Sequence, residues 1–244
     1  MSESLSVEPL EWREEFIPWV KESWKPGEHF AIIAPTGAGK TTFAAGLLST
    51  RRYVVSLDAK GGDTTLSRMG FKRLASWPGQ KQLDRIIDQD DRDGRPSRFV
   101  IGSAGRTKKE MTALKETLRH AVSDIYEMGG WTVYADELMI LTDPRQFNLR
   151  NDVDQMLIAA RDRGISVVSS FQTPRYVTPM ASNQATWVAV SRTRDTDVVN
   201  RLAEILGRPK EEIRGAIKGL DRYSWIVVGR DPHEPLRVTI SEEL

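Results

Sequence analysis

The chain has 244 residues, 39% hydrophobic and 28% charged, with a net charge of +1, which suits one well-buried α/β domain with small additions. It has no cysteine and three histidines, so disulfides and cysteine-ligated zinc are excluded, and the histidines are not spaced as a metal pair. No apolar run approaches the ~20 residues of a membrane span, and the polar, acidic start is unlike a secretory signal; both features predict a cytoplasmic protein with no membrane partner.

Taken in chain order, residues 9–25 place Trp12, Phe16, Trp19, Val20 and Trp24 at spacings of mostly three and four. That is an amphipathic helix, interrupted or restarted near Pro18 and ended by Pro26-Gly27. The tryptophans read as core packing rather than a base-stacking platform. Residues 29–34 form a short apolar strand, 40–49 a helix and 53–57 a second strand. Trp77, before Pro78-Gly79, is a possible neighbour of the adenine. A helix is expected at 83–89. Residues 88–98 are dense in both charge signs and contain Gly94 and Pro96, so an exposed loop is expected there. A third strand at 99–101 leads to a long helix at 108–128, stopped by Gly129-Gly130. A fourth strand follows at 131–135, a helix at 152–163 and a fifth strand at 165–170. The rest reads as a strand at 185–191, helices at 198–206 and 211–218, and a closing hairpin at 223–228 and 236–240. Alternating strands and helices predict a mainly parallel sheet covered on both faces, with a possible antiparallel C-terminal edge.

Three places carry chemistry. Ala34-Pro35-Thr36-Gly37-Ala38-Gly39-Lys40-Thr41 fits the phosphate-loop pattern with Ala34 in place of its first glycine, and lies between a strand and a helix. Such a loop wraps backbone amides around phosphate oxygens at a helix N-terminus. It assigns Pro35, Thr36, Gly37, Ala38, Gly39, Lys40, Thr41 and Thr42 to ATP, with Lys40 on the β- and γ-phosphates and the Thr41 hydroxyl on Mg²⁺. The strand ending at Asp136-Glu137 presents two carboxylates at the crevice of an open α/β sheet. Asp136 is read as the magnesium aspartate and Glu137 as the base that activates water. Gln172 ends the strand that begins at Ile165 and is placed to sense the γ-phosphate. Arg161 or Arg163, just before that strand, is an arginine finger for a neighbouring subunit or a solvated helix end.

In order, these places resemble the FtsK–HerA superfamily of ring-shaped nucleic-acid pumps. The resemblance rests on Ala34–Thr41, Asp58-Ala59-Lys60-Gly61, Ala135-Asp136-Glu137, Arg161 three residues before Gly164-Ile165, and Phe171-Gln172-Thr173-Pro174. Family members commonly show Asp-Pro-Lys-Gly and Thr-Gln-Arg-Pro at the second and fifth places, so Ala59 and Thr173 depart from the pattern. The resemblance covers roughly residues 28–193 and implies an ASCE, RecA-like P-loop NTPase fold; the P-loop domain is placed at 28–244, with residues 1–27 as an N-terminal helical extension. It also implies an ATPase acting as a homo-oligomeric ring of five or six subunits on double-stranded DNA.

Viral or phage genome packaging, with a portal or capsid partner, is the first setting, and plasmid or prophage DNA transfer the second. An assembly switch without pumping and a small-molecule phosphotransferase are the readings from other classes. Expected phosphate-backbone contacts are Arg106, Lys108 and Lys109 in one loop, Arg145 and Arg150 in another, and residues 60–68 in a third.

Overall fold

In a computed structural model, the residues described are 7–62, 64–102, 107–159, 161–173, 179–229, 231 and 234–242. Ten strands form one sheet in the order β1-β10-β9-β8-β2-β7-β6-β3-β5-β4. They are β1 (Val7–Pro9), β2 (His29–Ile33), β3 (Tyr53–Asp58), β4 (Lys72–Leu74), β5 (Ser97–Ile101), β6 (Thr132–Asp136), β7 (Ser166–Phe171), β8 (Ala185–Ser191), β9 (Ser224–Gly229) and β10 (Leu236–Ile240). All neighbours pair in parallel except β9, which runs antiparallel to both β8 and β10. The expected antiparallel strands are therefore present, but β1 pairs in parallel with β10 and forms the edge outside them.

The alternation of side chains along a strand sends odd and even residues to opposite faces, and here both faces are buried. Ala31, Ile33, Val55, Leu57, Val133 and Ala135 join one apolar layer. Phe30, Ile32, Val54, Tyr134 and Val168 join the other. The first layer is covered by α4 (Gln80–Arg92), α5 (Lys108–Met128), α6 (Leu138–Thr142), α7 (Arg150–Ala159), α9 (Thr196–Leu206) and α10 (Lys210–Lys218); α8 (Pro179–Asn183) lies beside it. The second is covered by α1 (Ile17–Ser23), α2 (Lys40–Ser49) and α3 (Thr65–Arg68).

Helix α2 buries Phe43, Ala44, Ala45, Leu47 and Leu48; a helix apolar on most sides must be covered on most sides. Its outer cover is the N-terminal segment. A π-helical turn at Trp12–Phe16 runs into α1, and Trp12, Phe16, Val20 and Trp24 are buried. Trp12 stacks on Phe16 at 5.1 Å and Phe43 stacks on Trp225 at 4.4 Å; Trp12 and Trp24 are core as expected, and half-buried Trp19 packs against the same cluster. Gly46 makes the fit possible: a Cβ there would overlap the Trp12 ring.

The expected charged loop at 88–98 is corrected. Helix α4 runs to Arg92, and β5 starts at Ser97. Asp90 is fully buried, where Lys72 Nζ and Ser97 Oγ donate to it and Arg95 lies 3.6 Å away. The expected helix at 152–163 is likewise two pieces, α7 and a 3₁₀ turn at Arg161–Arg163. No helix among the described residues is long and apolar enough to cross a membrane.

Candidate active site

Strand β2 is central, and it feeds the phosphate loop directly into α2. Gly37 (φ +79°) and Gly39 (φ +86°) adopt the left-handed conformation that curls the loop, a region where glycine carries no steric penalty. Thr36, Gly37, Gly39, Lys40, Thr41 and Thr42 line a cleft of about 510 Å³, within the size range of small-molecule sites. Pro35 and Ala38 close the turn behind them through a 3.3 Å hydrogen bond from Ala38 N–H to the Pro35 carbonyl. Lys40 is buried, and its ammonium donates to the carbonyls of Ala34 (2.9 Å) and Pro35 (3.2 Å). Burial holds it below the usual lysine range, against the opposing pull of Glu137 and Asp136.

On the other side of β7, strand β6 delivers Asp136 and Glu137 into the same cleft. Asp136 Oδ1 accepts hydrogen bonds from Tyr134 OH (2.9 Å) and Ser170 Oγ (3.0 Å). Burial pushes the Asp136 carboxyl up; those two hydrogen bonds oppose the shift, and the charges of Glu137 and Asp58 add to it. Glu137 takes φ +53° at the start of α6, a conformation uncommon for a non-glycine residue. Its backbone N–H donates to Ser170 Oγ at 3.3 Å. Its buried carboxylate lies 2.8 Å from Lys60 Nζ and 4.0 Å from Lys40 Nζ. This left-handed turn, tied by its N–H to β7 and by its carboxylate to Lys60 and Lys40, aims the carboxylate at the phosphate loop.

Several of these groups escaped the sequence reading. Asp58 is the register partner of Asp136 across β3 and β6 and lines the cleft; Gly61 N–H and Arg73 donate to it. Tyr134 precedes Asp136 by two, so both face the same side of β6, a signal available in the sequence. Lys60, expected among the DNA-contacting residues, pairs with Glu137 and lines the cleft, with its side chain half exposed. Trp77 is corrected as an adenine neighbour: it packs on Phe99 and Trp131 and donates to Asp124, behind the sheet face rather than at the cleft.

Gln172 follows β7, whose end lies between the phosphate loop and the acids. The residue is exposed and is not among those lining the cleft. Arg161 and Arg163 sit before the start of β7, at the opposite edge of the parallel sheet from their own phosphate loop. They differ in what they touch. Arg163 Nη1 donates to the carbonyls of Tyr126 and Glu127, and its guanidinium lies 4.7 Å from the Tyr126 ring. Arg161 is exposed, while its carbonyl is packed against Gly27, where a Cβ would come within 2.7 Å.

Among the basic residues expected at DNA, Arg106 lies outside the described residues. Lys108 and Lys109 are exposed in the first turn of α5, where the helix dipole disfavours cations. Arg145 is 90% exposed beside Asp143, and Arg150 pairs with Asp154 at 3.9 Å.

A magnesium ion fits this cleft. Thr41 and Asp136 supply hard oxygen ligands there. The described residues contain no cluster of three or more His, Cys, Asp or Glu able to hold a metal. One or two oxygen ligands from protein, with the rest from phosphate and water, is the usual arrangement for magnesium.

No family model matches the sequence, and no curated protein is similar to it. Solved structures are similar at the level of the fold. The genome packaging NTPase B204 of Sulfolobus turreted icosahedral virus 2, in complex with AMPPCP, matches with a TM-score of 0.58 at 15% identity, over 90% of this chain and 99% of that one. VirB4 of Thermoanaerobacter pseudethanolicus matches with a TM-score of 0.57 at 10% identity, over 88% and 89%. The cytoplasmic domain of the type VII secretion ATPase EccC of Thermomonospora curvata matches with a TM-score of 0.52 at 17% identity, over 92% of this chain and 27% of that one. The architecture these structures share with this chain is that of a P-loop NTPase.

Proposed function

We propose that the chain is an ATP-hydrolysing motor that moves double-stranded DNA as a homo-oligomeric ring of five or six copies. Genome packaging against a portal or capsid protein in a host cytoplasm is the preferred setting. The observation that carries the reading is the convergence of Lys40, Asp136 and Glu137 on one cleft from two strands flanking β7.

On binding, Lys40 exchanges its contacts with loop carbonyls for phosphate oxygens. Thr41 and Asp136 would hold Mg²⁺, which supplies charge neutralisation at those oxygens. Glu137 takes a proton from water as the water oxygen bonds to the γ-phosphorus and the bond to the ADP oxygen breaks, leaving ADP and inorganic phosphate. Arg161 reaches a neighbour's cleft and stabilises charge on the transferring group; Arg163, also exposed, is the less favoured because its guanidinium is held by the Tyr126 and Glu127 carbonyls. Gln172 reports the γ-phosphate to β7. Lys108, Lys109, Arg145 and Arg150 contact the DNA backbone, with Arg106 beside them in sequence.

Plasmid or prophage DNA transfer is the second setting for the same chemistry. The test is ATPase rate against protein concentration, with and without double-stranded DNA, for the native chain and Arg161→Ala. Rate per subunit rising with both, and collapsing in the variant, is the expected result. A rate indifferent to DNA and to concentration would leave a switch or a phosphotransferase.

A further inference from the structure

We propose that Tyr223 is the platform on which the base of the bound nucleotide stacks. The inference rests on the phosphate-loop reading and extends it to the other end of the ligand. Sheet order sets the direction. The acids follow β6, on one side of β2, so the γ-phosphate end points that way. The nucleoside must leave the loop on the opposite side, toward β8 and β9. Strand β9 is antiparallel to β8, with Trp225 opposite Ser191, so its beginning lies at the same sheet edge as the phosphate loop.

Tyr223 is the residue just before β9, and it lines the nucleotide cleft together with Thr41 and Thr42. It is the aromatic among the residues lining that cleft. The ring is 38% exposed, and its edge stands against the phosphate loop, since a Cβ on Gly39 would come within 3.1 Å of Tyr223 Cδ1.

The backbone there is built to hold the ring out. Tyr223 has φ +65°, a value rarely adopted by a bulky residue. It is kept by a lock on its carbonyl: Ser241 N–H donates to it at 3.0 Å, and Ser241 Oγ in turn accepts from Trp225 Nε1 at 3.0 Å. Arg222 lies 4.8 Å from the ring centroid. A strained, pinned, half-exposed aromatic beside a phosphate loop serves burial poorly and stacking well. Stacking is tolerant of base identity but depends on ring area, so a purine gains more than a pyrimidine.

The experiment measures competition of ATP, CTP and inorganic tripolyphosphate against a fluorescent ATP analogue. Variants are Tyr223→Ala, Tyr223→Phe and Lys40→Ala. The native chain should bind ATP tighter than CTP, and CTP tighter than tripolyphosphate. Tyr223→Ala should lose about ten- to a hundredfold for ATP, the range of one base–aromatic stack, while tripolyphosphate stays within about twofold; Tyr223→Phe should keep the native ranking. Tyr223→Trp, read by its added fluorescence, should be quenched by ATP and not by tripolyphosphate. The proposal is overturned if the ranking survives in Tyr223→Ala, or if all three ligands weaken together. If Lys40→Ala leaves tripolyphosphate binding intact, the phosphate-loop reading itself falls, a result distinct from failure of the tyrosine alone.

Discussion

Glu137→Gln separates the catalytic role proposed for this residue from its structural one. The substitution keeps volume and removes charge. The carboxylate pairs with Lys60, whose side chain is 49% exposed, so solvent screening leaves that pair worth about 1 kcal/mol. Lys40, at 4.0 Å, keeps Asp136 as a second anionic neighbour. The expected cost is therefore about 1–2 kcal/mol, or a fall of about 2–8 °C in melting temperature for a chain of this size. Loss of a general base removes about 10²–10⁴ in rate, or about 3–5 kcal/mol on the barrier. Binding should move the other way. Asp58, Asp136 and Glu137 face Lys40 and Lys60 across the cleft, and a triphosphate adds further negative charge to that set. Removing one carboxylate relieves repulsion and frees Lys60, so ATP affinity should hold or tighten by up to about tenfold, equivalent to ~1.4 kcal/mol. Single-turnover hydrolysis at saturating protein, paired with equilibrium ATP binding and a melting curve, reads all three quantities. Hydrolysis within about tenfold of native would remove Glu137 as the base. Loss of binding together with hydrolysis would make it a structural residue.

Other perturbations are expected as follows. Burial raises the native pKa of Asp136 above 3.8, so above pH 3.8 the native state holds more protons than the unfolded one and stability falls as pH rises through that window. Asp136→Asn should accordingly melt higher than the native chain at pH 7, with the gap closing as pH falls toward 3.8; a gap independent of pH would contradict the assignment. Gly46→Ala should cost about 1–3 kcal/mol by overpacking against Trp12, and Trp12→Phe in the same chain should recover part of it in denaturant titrations. Arg163→Ala should cost about 1–2 kcal/mol through the lost carbonyl contacts. Arg161→Ala should lie within about 0.5 kcal/mol of native, so equal melting losses in the two variants would refute the distinction between them.

The legible parts of the fold were those with local signals. β2, β3, β6 and β8 are mainly apolar runs, β7 sets Val167 and Val168 among small serines, and the phosphate loop and the acid pair sit at strand ends. What was not legible depends on partners distant in sequence. Asp90 looks solvated in a run of charges and is buried because Lys72, Arg95 and Ser97 surround it. β4 is a three-residue Lys-Arg-Leu edge strand with no periodicity to read. β1 takes its conformation from pairing with β10, over two hundred residues later. Lys60 reads as a free cation in a glycine-rich loop until β3 and β6 are placed side by side. Tyr223 reads as the first residue of a strand, and its role depends on a left-handed turn that a tyrosine does not advertise.

Strand β7 joins two places that the chemistry keeps apart. Six residues of extended backbone, about 20 Å long, run from the Arg161–Gly164 turn to Gln172. Both ends are constrained: Ala34 N–H is bonded to the Phe171 carbonyl at 3.2 Å at one, and close glycine contacts hold the arginine turn at the other, where Gly27 meets Arg161 and Gly129 meets Arg163. β7 is hydrogen-bonded to β2 on one side and β6 on the other, so a shift at the phosphate end that reached the arginine turn would move these three strands together. Under the ring reading, the occupancy of one subunit's nucleotide site would set the position of the arginine it lends to the next. The coupling between the two sites would then lie in the centre of the sheet itself.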